Sequence, residues 1–200
     1  MPDDMNKQEL QERISIIENM IAEGRRHTES WGWTFVLWGI AYYVAMAWST
    51  WRPSFWSWPV TVSIAVILTF FVGFSKGSQQ PTTRLGRAIG SIWLALGITM
   101  FLLFVPLGFS GRLTDPHIFF AAVSAILGMA NGASALILRW KVQFACAVVW
   151  WASAAATCFG NEQQCAIVFM VAVFLCQIVF GIYGMIDKAH VSKPHGLIHA

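Results

Sequence analysis

Charged side chains are missing from long stretches of the chain after residue 30. Six intervals between consecutive Asp, Glu, Lys or Arg residues hold 20 to 24 residues each. A helix needs about 20 apolar residues to cross a bilayer, and lipid offers no hydrogen-bond partner to an open backbone group. Each interval therefore predicts a transmembrane helix. The predicted spans are Trp31–Thr50, Pro59–Ser75, Ile89–Leu107, Pro116–Leu138, Val142–Phe159 and Cys165–Ile186.

The spans pair into a repeat with a period of roughly 50–60 residues. Odd spans carry an internal Trp among small and aliphatic residues, and even spans end at a Gly-containing segment that meets a basic residue. The predicted fold is all-α: a polytopic membrane bundle of six transmembrane helices in three helical hairpins. We expect a cytoplasmic amphipathic helix and membrane entry over residues 1–30, the transmembrane domain over 31–187 and a cytoplasmic tail over 188–200.

The first 30 residues have a different pattern. Leu10, Ile14, Ile17 and Ile21 recur at spacings of 4, 3 and 4, which places them on one face of a helix. Gly24 is expected to interrupt or end that helix. The segment holds seven acidic and four basic residues, a composition unsuited to anionic lipid. The apolar face is expected to pack against the protein's own bundle, or to form a short coiled coil with a second copy or another protein.

Composition and charge distribution exclude several classes of protein. Hydrophobic residues make up 56% of the chain and charged residues 12%, whereas soluble domains carry about 25% charged residues. An ordinary soluble globule and a disordered chain are therefore excluded. Eleven basic residues fall on the side of the predicted termini, and only Arg52 and Arg112 on the other. The positive-inside rule predicts a multi-pass cell-membrane protein with both termini in the cytoplasm, and no nucleic-acid partner is expected.

Few residues in the predicted spans bear chemistry. The spans contain no Asp, Glu, Lys or Arg, although ionisable residues within the membrane are typical of pumps and proton-coupled carriers. No P-loop, H-E-x-x-H, G-x-S-x-G or C-x-x-C motif is present, so neither an enzyme nor a cofactor or metal site is predicted. The residues expected to serve in polar packing between helices or in ligand contact are Asn131, Gln177, Tyr43 and Trp93.

Small residues recur in the fourth predicted span. Ser124, Gly128 and Gly132 are spaced four residues apart and form a small-xxx-small motif, which permits two helix backbones to approach closely. The motif is expected to serve packing inside the bundle or, alternatively, the interface between two copies of the chain.

Cys158 and Cys165 flank the short outer loop between the fifth and sixth predicted spans. A disulfide needs Cα atoms about 4.4–6.8 Å apart, which so short a hairpin can offer. The inferred topology also places both residues on the oxidising side of the membrane. A disulfide is the prediction, and two unpaired interfacial cysteines are the alternative. Cys146 and Cys176 lie deeper and are expected to remain thiols.

The three-hairpin layout, with the segments SIWLALGITMFLLFVP and FLCQIVFGIYGMID, resembles the small six-span bacterial acid-resistance membrane proteins, whose hairpins repeat a short Gly-rich pattern. The entry segment IIENMIAEGRRHTESWGWTFVLWGI is similar to the starts of uncharacterised bacterial six-span membrane proteins. These resemblances imply a six-span protein of the bacterial inner membrane, and they supply no catalytic residues.

Together these patterns predict a non-enzymatic integral membrane protein with an accessory, stress or regulatory role. The protein is expected to contact itself or a partner through its N-terminal helix. The alternative is a small oligomeric transporter or channel for an uncharged or apolar solute, because the lack of charges in the spans argues only against proton-coupled transport and hydrolysis.

Overall fold

The computed structural model describes residues 2–52, 54, 56–77, 84–110 and 115–191, and every regular element in these ranges is helical. The predicted all-α fold is confirmed. The elements in chain order are α1 (Pro2–Ser30), α2 (Gly32–Trp51), α3 (Ser57–Gly77), α4 (Arg84–Phe109), α5 (Pro116–Leu138), α6 (Lys141–Ala156), α7 (Glu162–Val173), the π-helical segment (Phe174–Val179) and α8 (Phe180–Val191). The last three elements follow one another without a break and form one helix.

Each predicted span overlaps a helix, and α5 has the predicted bounds. The fifth predicted span ends at Phe159, three residues beyond the end of α6. Among the described residues, three stretches are long and apolar enough to cross a membrane: Leu85–Leu107, Pro116–Leu138 and Glu162–Ile186. The apolar part of α3, Ser57–Gly73, is shorter. Helix α6 has 16 residues and is about 24 Å long at 1.5 Å per residue. Helix α2 mixes its aliphatic residues with Trp, Tyr, Gly, Ser and Thr. Length and composition thus support three spans, not the six expected.

The most extensive helix–helix contact in the described structure joins α5 to α6. These helices are antiparallel and meet at a tight turn, where Arg139 has a left-handed backbone with φ of 48°. The Trp140 backbone N–H donates to the Ala135 carbonyl at 2.9 Å across the turn. Further along, the Ser124 and Ser153 hydroxyl oxygens lie 3.4 Å apart. These contacts fix the register of the two helices, and we call their contact the α5–α6 seam.

Gly128 and Gly132 lie on the α5–α6 seam beneath the ring of Trp151. A Cβ atom built at Gly128 would lie 2.5 Å from the Trp151 ring, and one at Gly132 would lie 2.8 Å from it. Only glycine leaves room for the indole at this distance. The small-xxx-small motif that begins at Ser124 is therefore occupied within the chain, which favours packing inside the bundle over an interface between copies.

Aromatic side chains fill the centre of the bundle. The fully buried Phe169 of α7 has its ring centroid 4.9 Å from that of Phe120, 5.9 Å from that of Tyr42 and 5.9 Å from that of Trp150. These four rings belong to α7, α5, α2 and α6. Aromatic pairs at such distances contribute beyond the apolar area that they bury, so this cluster holds four helices together.

Helix α1 runs without interruption through Gly24 to Ser30. The expectation that Gly24 interrupts or ends the helix is therefore wrong. A Cβ atom at Gly24 would lie 2.7 Å from the Leu85 side chain of α4 and 2.8 Å from the Leu138 side chain of α5. The missing side chain at Gly24 serves close packing of α1 on the bundle, and the helix continues through it.

Replacing Gly128 with Ala is expected to destabilise the protein, because the added methyl group overlaps the Trp151 ring. Overpacking of this kind costs about 1–3 kcal/mol. Gly97→Ala in α4 is the matched control, since nothing lies within 4 Å of a Cβ atom there and Ala favours helix more than Gly. Thermal unfolding of the detergent-solubilised protein should give a lower midpoint for Gly128→Ala only. Equal midpoints for the two variants would contradict the geometry of the seam.

Candidate functional site

The α5–α6 seam contains polar side chains with no access to solvent. Asn131, Ser134 and Gln143 are fully buried. The Asn131 Nδ2 atom donates to the Leu127 carbonyl at 2.9 Å. The Asn131 Oδ1 atom, the Ser134 hydroxyl and both amide atoms of Gln143 have no hydrogen-bond partner in the described part of the chain. Because an unpaired buried polar group costs free energy, these atoms mark the seam as a candidate site.

The register of the seam places these residues at matching levels. The Ser124–Ser153 contact sets one level. Asn131 lies seven residues after Ser124 on α5, and Cys146 lies seven residues before Ser153 on α6. Seven residues are about two helical turns. One turn beyond that level lie Ser134 and Gln143. These polar residues form a ladder along one face of the hairpin. We call it the seam ladder, and it consists of Ser124, Asn131, Ser134, Gln143, Cys146 and Ser153.

The π-helical segment lies beside the seam ladder. The Cys176 thiol of this segment donates to the Cys146 carbonyl of α6 at 3.5 Å. Gln177 is buried next to it, with its Cβ atom 3.1 Å from a Cβ atom built at Gly39 of α2. The Tyr43 hydroxyl of α2 donates to the Met170 carbonyl at 3.0 Å, one turn before the π-helical segment. Since π-helical turns occur frequently at functional sites, this region extends the candidate site toward α2.

The four residues predicted for polar packing or ligand contact do not form one cluster. Asn131 lies in the seam ladder, whereas Tyr43 and Gln177 lie where α2 meets α7 and the π-helical segment. Trp93 packs edge-to-face on Phe35 with the ring centroids 5.2 Å apart, which is an apolar contact. The site is therefore divided between the seam ladder and the π-helical segment, with Trp93 outside both.

Ser134 and Gln143 were missed by the sequence reasoning. The sequence does contain a pattern that could have identified them. One set of three polar residues has spacings of seven and then three, and the next set has the same spacings in reverse order. The two sets are Ser124, Asn131 and Ser134, followed by Gln143, Cys146 and Ser153. Two mirrored spacings on either side of a turn predict that the polar residues face one another across an antiparallel hairpin.

The chemistry of the seam ladder is that of neutral hydrogen bonding. Amides, hydroxyls and thiols donate and accept hydrogen bonds, and the sequence of α5 holds no Asp, Glu, Lys or Arg. A ligand that matches these groups is small, uncharged and able both to donate and to accept hydrogen bonds. Within the described residues, no group of three or more His, Cys, Asp or Glu side chains is placed to hold a metal ion.

A second polar cluster lies at the end of the bundle where α5 begins. The Asp115 carboxylate caps α5 by accepting from the His117 backbone N–H at 2.8 Å. The same oxygen faces His117 Nδ1 at 2.8 Å, and His117 Nε2 lies 2.9 Å from the Gly160 carbonyl of the α6–α7 turn. Both ring nitrogens thus face oxygen acceptors, so both hydrogen bonds form together only when the imidazole carries two protons. An open groove of about 440 Å³ adjoins this cluster, lined by His117, Ile118, Ala121, Ala122 and Cys158.

The cysteines near that end are not bridged. Cys158 and Cys165 are both free thiols. Cys158 is exposed and its thiol donates to the Ala154 carbonyl at 3.4 Å, whereas Cys165 is buried and donates to the Thr157 carbonyl at 3.1 Å. One thiol is exposed and the other is buried, each with its own backbone acceptor, and the predicted disulfide is not formed in this structure. Cys146 and Cys176 are buried free thiols.

The predicted apolar face of α1 is divided between packed and open residues. Near its end, α1 is fixed to the α5–α6 turn because Arg25 Nε donates to the Leu138 carbonyl at 2.9 Å and a terminal nitrogen donates to the Arg139 carbonyl. Ile21 is half-buried. Leu10, Ile14 and Ile17 are exposed to 59%, 47% and 54%. Packing against the bundle therefore accounts for only the last part of this face.

Comparison of the chain with protein-family models, with curated proteins and with solved structures finds no match.

The Asp115 carboxylate is expected to stabilise the fold only while it is ionised. The hydrogen bond from the His117 side chain lowers the pKa of Asp115 below its usual value, as does the backbone N–H of His117. Since the folded-state pKa is lower than the unfolded one, the stabilisation is present at pH values above the ordinary Asp pKa of about 4 and is lost as pH falls through the folded value. Asp115→Ala should lower the thermal midpoint at pH 6, and the difference from the natural chain should shrink steadily below pH 4. A difference that stays constant with pH would contradict this assignment.

Gln143→Leu is expected to leave the stability unchanged or to raise it. Both amide atoms of Gln143 are buried without a partner, and an apolar side chain of similar size removes the cost of burying them, about 1–3 kcal/mol. Gln143→Ala is the control, because it leaves a cavity and should lower the thermal midpoint. A Gln143→Leu variant that melts as low as Gln143→Ala would mean that the amide makes hydrogen bonds that the leucine cannot replace.

Proposed function

We propose that the chain is a six-span protein of the cell membrane with three helical hairpins and cytoplasmic termini. Three stretches meet the length and composition expected of a span. The remaining three predicted spans, on α2, α3 and α6, are supported by the absence of charge in their intervals and by their helical structure. The basic residues bounding these intervals support the orientation. The number of spans proposed is also the number that the resemblance to bacterial six-span membrane proteins implies.

Within that framework, the protein is a non-enzymatic accessory or regulatory component that acts by protein association through α1. The observation that carries this proposal is the open apolar face at Leu10, Ile14 and Ile17. These residues continue the line of Ile21, Gly24 and Thr28 along the helix. The same face that docks α1 onto its own bundle thus extends beyond the bundle, where it has room for another protein.

The chemistry of α1 favours a protein over lipid as the occupant of this face. Residues 1–30 hold seven acidic and four basic side chains, and anionic lipid surfaces select Lys- and Arg-rich helices. Full burial of an aliphatic side chain contributes about 1.5–3 kcal/mol, so three such side chains form an effective contact. An association surface of this size suits a reversible accessory role.

Ile17→Ser is expected to weaken association, because it replaces an apolar side chain of the open face with a hydroxyl. Ile16→Ser is the matched control, since Ile16 is exposed to 53% and Ile17 to 54% on the same helix, but Ile16 lies about 100° or more around the axis from the line of Leu10, Ile14 and Ile17. The mass of complexes purified from membranes in mild detergent, measured by light scattering, should fall for Ile17→Ser only. The same result for both variants would contradict a role for this face.

The seam ladder supports a second candidate function, the passage or binding of a small uncharged solute. The observation that supports this candidate is the set of buried polar atoms at Asn131, Ser134 and Gln143 that have no hydrogen-bond partner in the described part of the chain. Liposomes containing the purified protein should then swell faster than empty liposomes in a gradient of glycerol or urea, and Gln143→Leu should reduce that rate. Swelling equal to that of empty liposomes would contradict this second candidate.

A further inference from the structure

We propose that a second copy of this chain covers the open face of α1, and that the two helices form a parallel coiled coil over residues 7–21. This inference rests on the proposed function and names the partner for it. The heptad register of α1, the charges beside its apolar face and the attachment of α1 to its bundle support this pairing.

The apolar residues of α1 fit one heptad register. Spacings of 4, 3 and 4 place Leu10 and Ile17 at d positions and Ile14 and Ile21 at a positions. Lys7 then occupies the preceding a position and is exposed. A single polar residue at an a position specifies the register and oligomeric state of a coiled coil at some cost in stability. The pattern is therefore that of a short coiled coil with a defined partner.

The charges beside the apolar face favour a parallel arrangement of identical helices. In the same register Arg13 occupies a g position and Glu18 the following e position. In a parallel pair, the g residue of one helix meets the next e residue of the other, so Arg13 of each copy faces Glu18 of its counterpart. In an antiparallel pair, g residues meet g residues, and Arg13 would face Arg13. This single pair of complementary charges supports a second copy and favours the parallel orientation.

The Arg13 side chain is available for this exchange. Its ion pair with Glu9, at 2.6 Å, joins two side chains that are exposed to 71% and 60%. An exposed pair one turn apart on a helix contributes little to stability. Arg13 can therefore leave Glu9 for Glu18 of a second copy at small cost.

Attachment to a membrane protein compensates for the low stability of a coiled coil of only two heptads. An isolated helix pair of this length is marginal in water. Each α1 is fixed to its own bundle through Arg25 and the Leu138 carbonyl, so two copies in one membrane present α1 on the same side of that membrane. Confinement to a membrane also raises the effective concentration of the second helix. Both effects favour association of the two helices, and the charges at Arg13 and Glu18 select the parallel orientation.

Cysteine cross-linking in membranes tests the register directly. In a Cys158→Ala background, which removes the exposed native thiol, Ile17→Cys should form a disulfide-linked dimer under mild oxidation because d positions of a parallel pair adjoin. Ile16→Cys is the matched control and should remain monomeric on a non-reducing gel. Equal cross-linking at both positions, or none at Ile17→Cys, would overturn the proposed coiled coil.

A charge exchange tests the partner and the orientation. In the Ile17→Cys background, R13E places Glu against Glu18, and E18R places Arg against Arg13. Each change should reduce the dimer fraction about fivefold, since two symmetry-related pairs turn repulsive. The double variant R13E/E18R restores both pairs and should restore cross-linking. Failure of the double variant to recover would overturn the parallel register.

The two proposals fail in different ways. If Ile17→Cys does not cross-link while Ile17→Ser still reduces the mass of the purified complex relative to Ile16→Ser, the second copy is overturned and a different protein occupies the face. If Ile17→Ser and Ile16→Ser behave alike, the role of the face in association is overturned, and the coiled coil with it.

Discussion

The close approach of α5 and α6 determines much of the remaining structure. Gly128 and Gly132 admit the Trp151 ring at a distance that any side chain would prevent, and this contact fixes the register of the hairpin. The register in turn places Asn131 and Gln143 in a fully buried position. The carbonyl groups exposed at the end of α5 accept hydrogen bonds from Arg25. One packing constraint thus sets both the buried polar residues and the attachment point of α1.

The attachment of α1 explains why its apolar face has two roles. Gly24 brings the helix axis close to Leu85 and Leu138, and Arg25 satisfies carbonyl groups that a helix end leaves open. The helix continues through this point because Gly24 does not interrupt it. The face therefore continues in register from a packed part to an open part, and the position of Ile17 in space depends on the bundle to which its helix is fixed.

The sequence predicts the helices well because charged residues bound every apolar stretch, and Asp115 and Arg139 mark both ends of α5. It does not predict how each helix is rotated about its axis. The expected disulfide depended on that rotation, and Cys165 points inward while Cys158 points outward. The seam ladder depended on the register of the hairpin, which the packing of Trp151 on Gly128 and Gly132 sets together with the left-handed turn at Arg139. The spacing of apolar residues predicts the apolar face of α1. It does not predict which residues of that face contact the bundle, because this depends on where the bundle lies relative to α1.

Each end of α5 makes a hydrogen bond between a basic side chain and a backbone carbonyl group of another part of the chain or of α5 itself. At one end Arg25 reaches the Leu138 carbonyl, and at the other His117 reaches the Gly160 carbonyl of the next hairpin turn. With the seam along its length, α5 is held at both ends and on one face. The π-helical segment is joined to α6 by the hydrogen bond from the Cys176 thiol to the Cys146 carbonyl at 3.5 Å. A thiol hydrogen bond is weak, so the position of the π-helical segment depends more on its close packing against α2, where a Cβ atom built at Gly39 would lie 2.8 Å from Ile178 and 3.1 Å from Gln177.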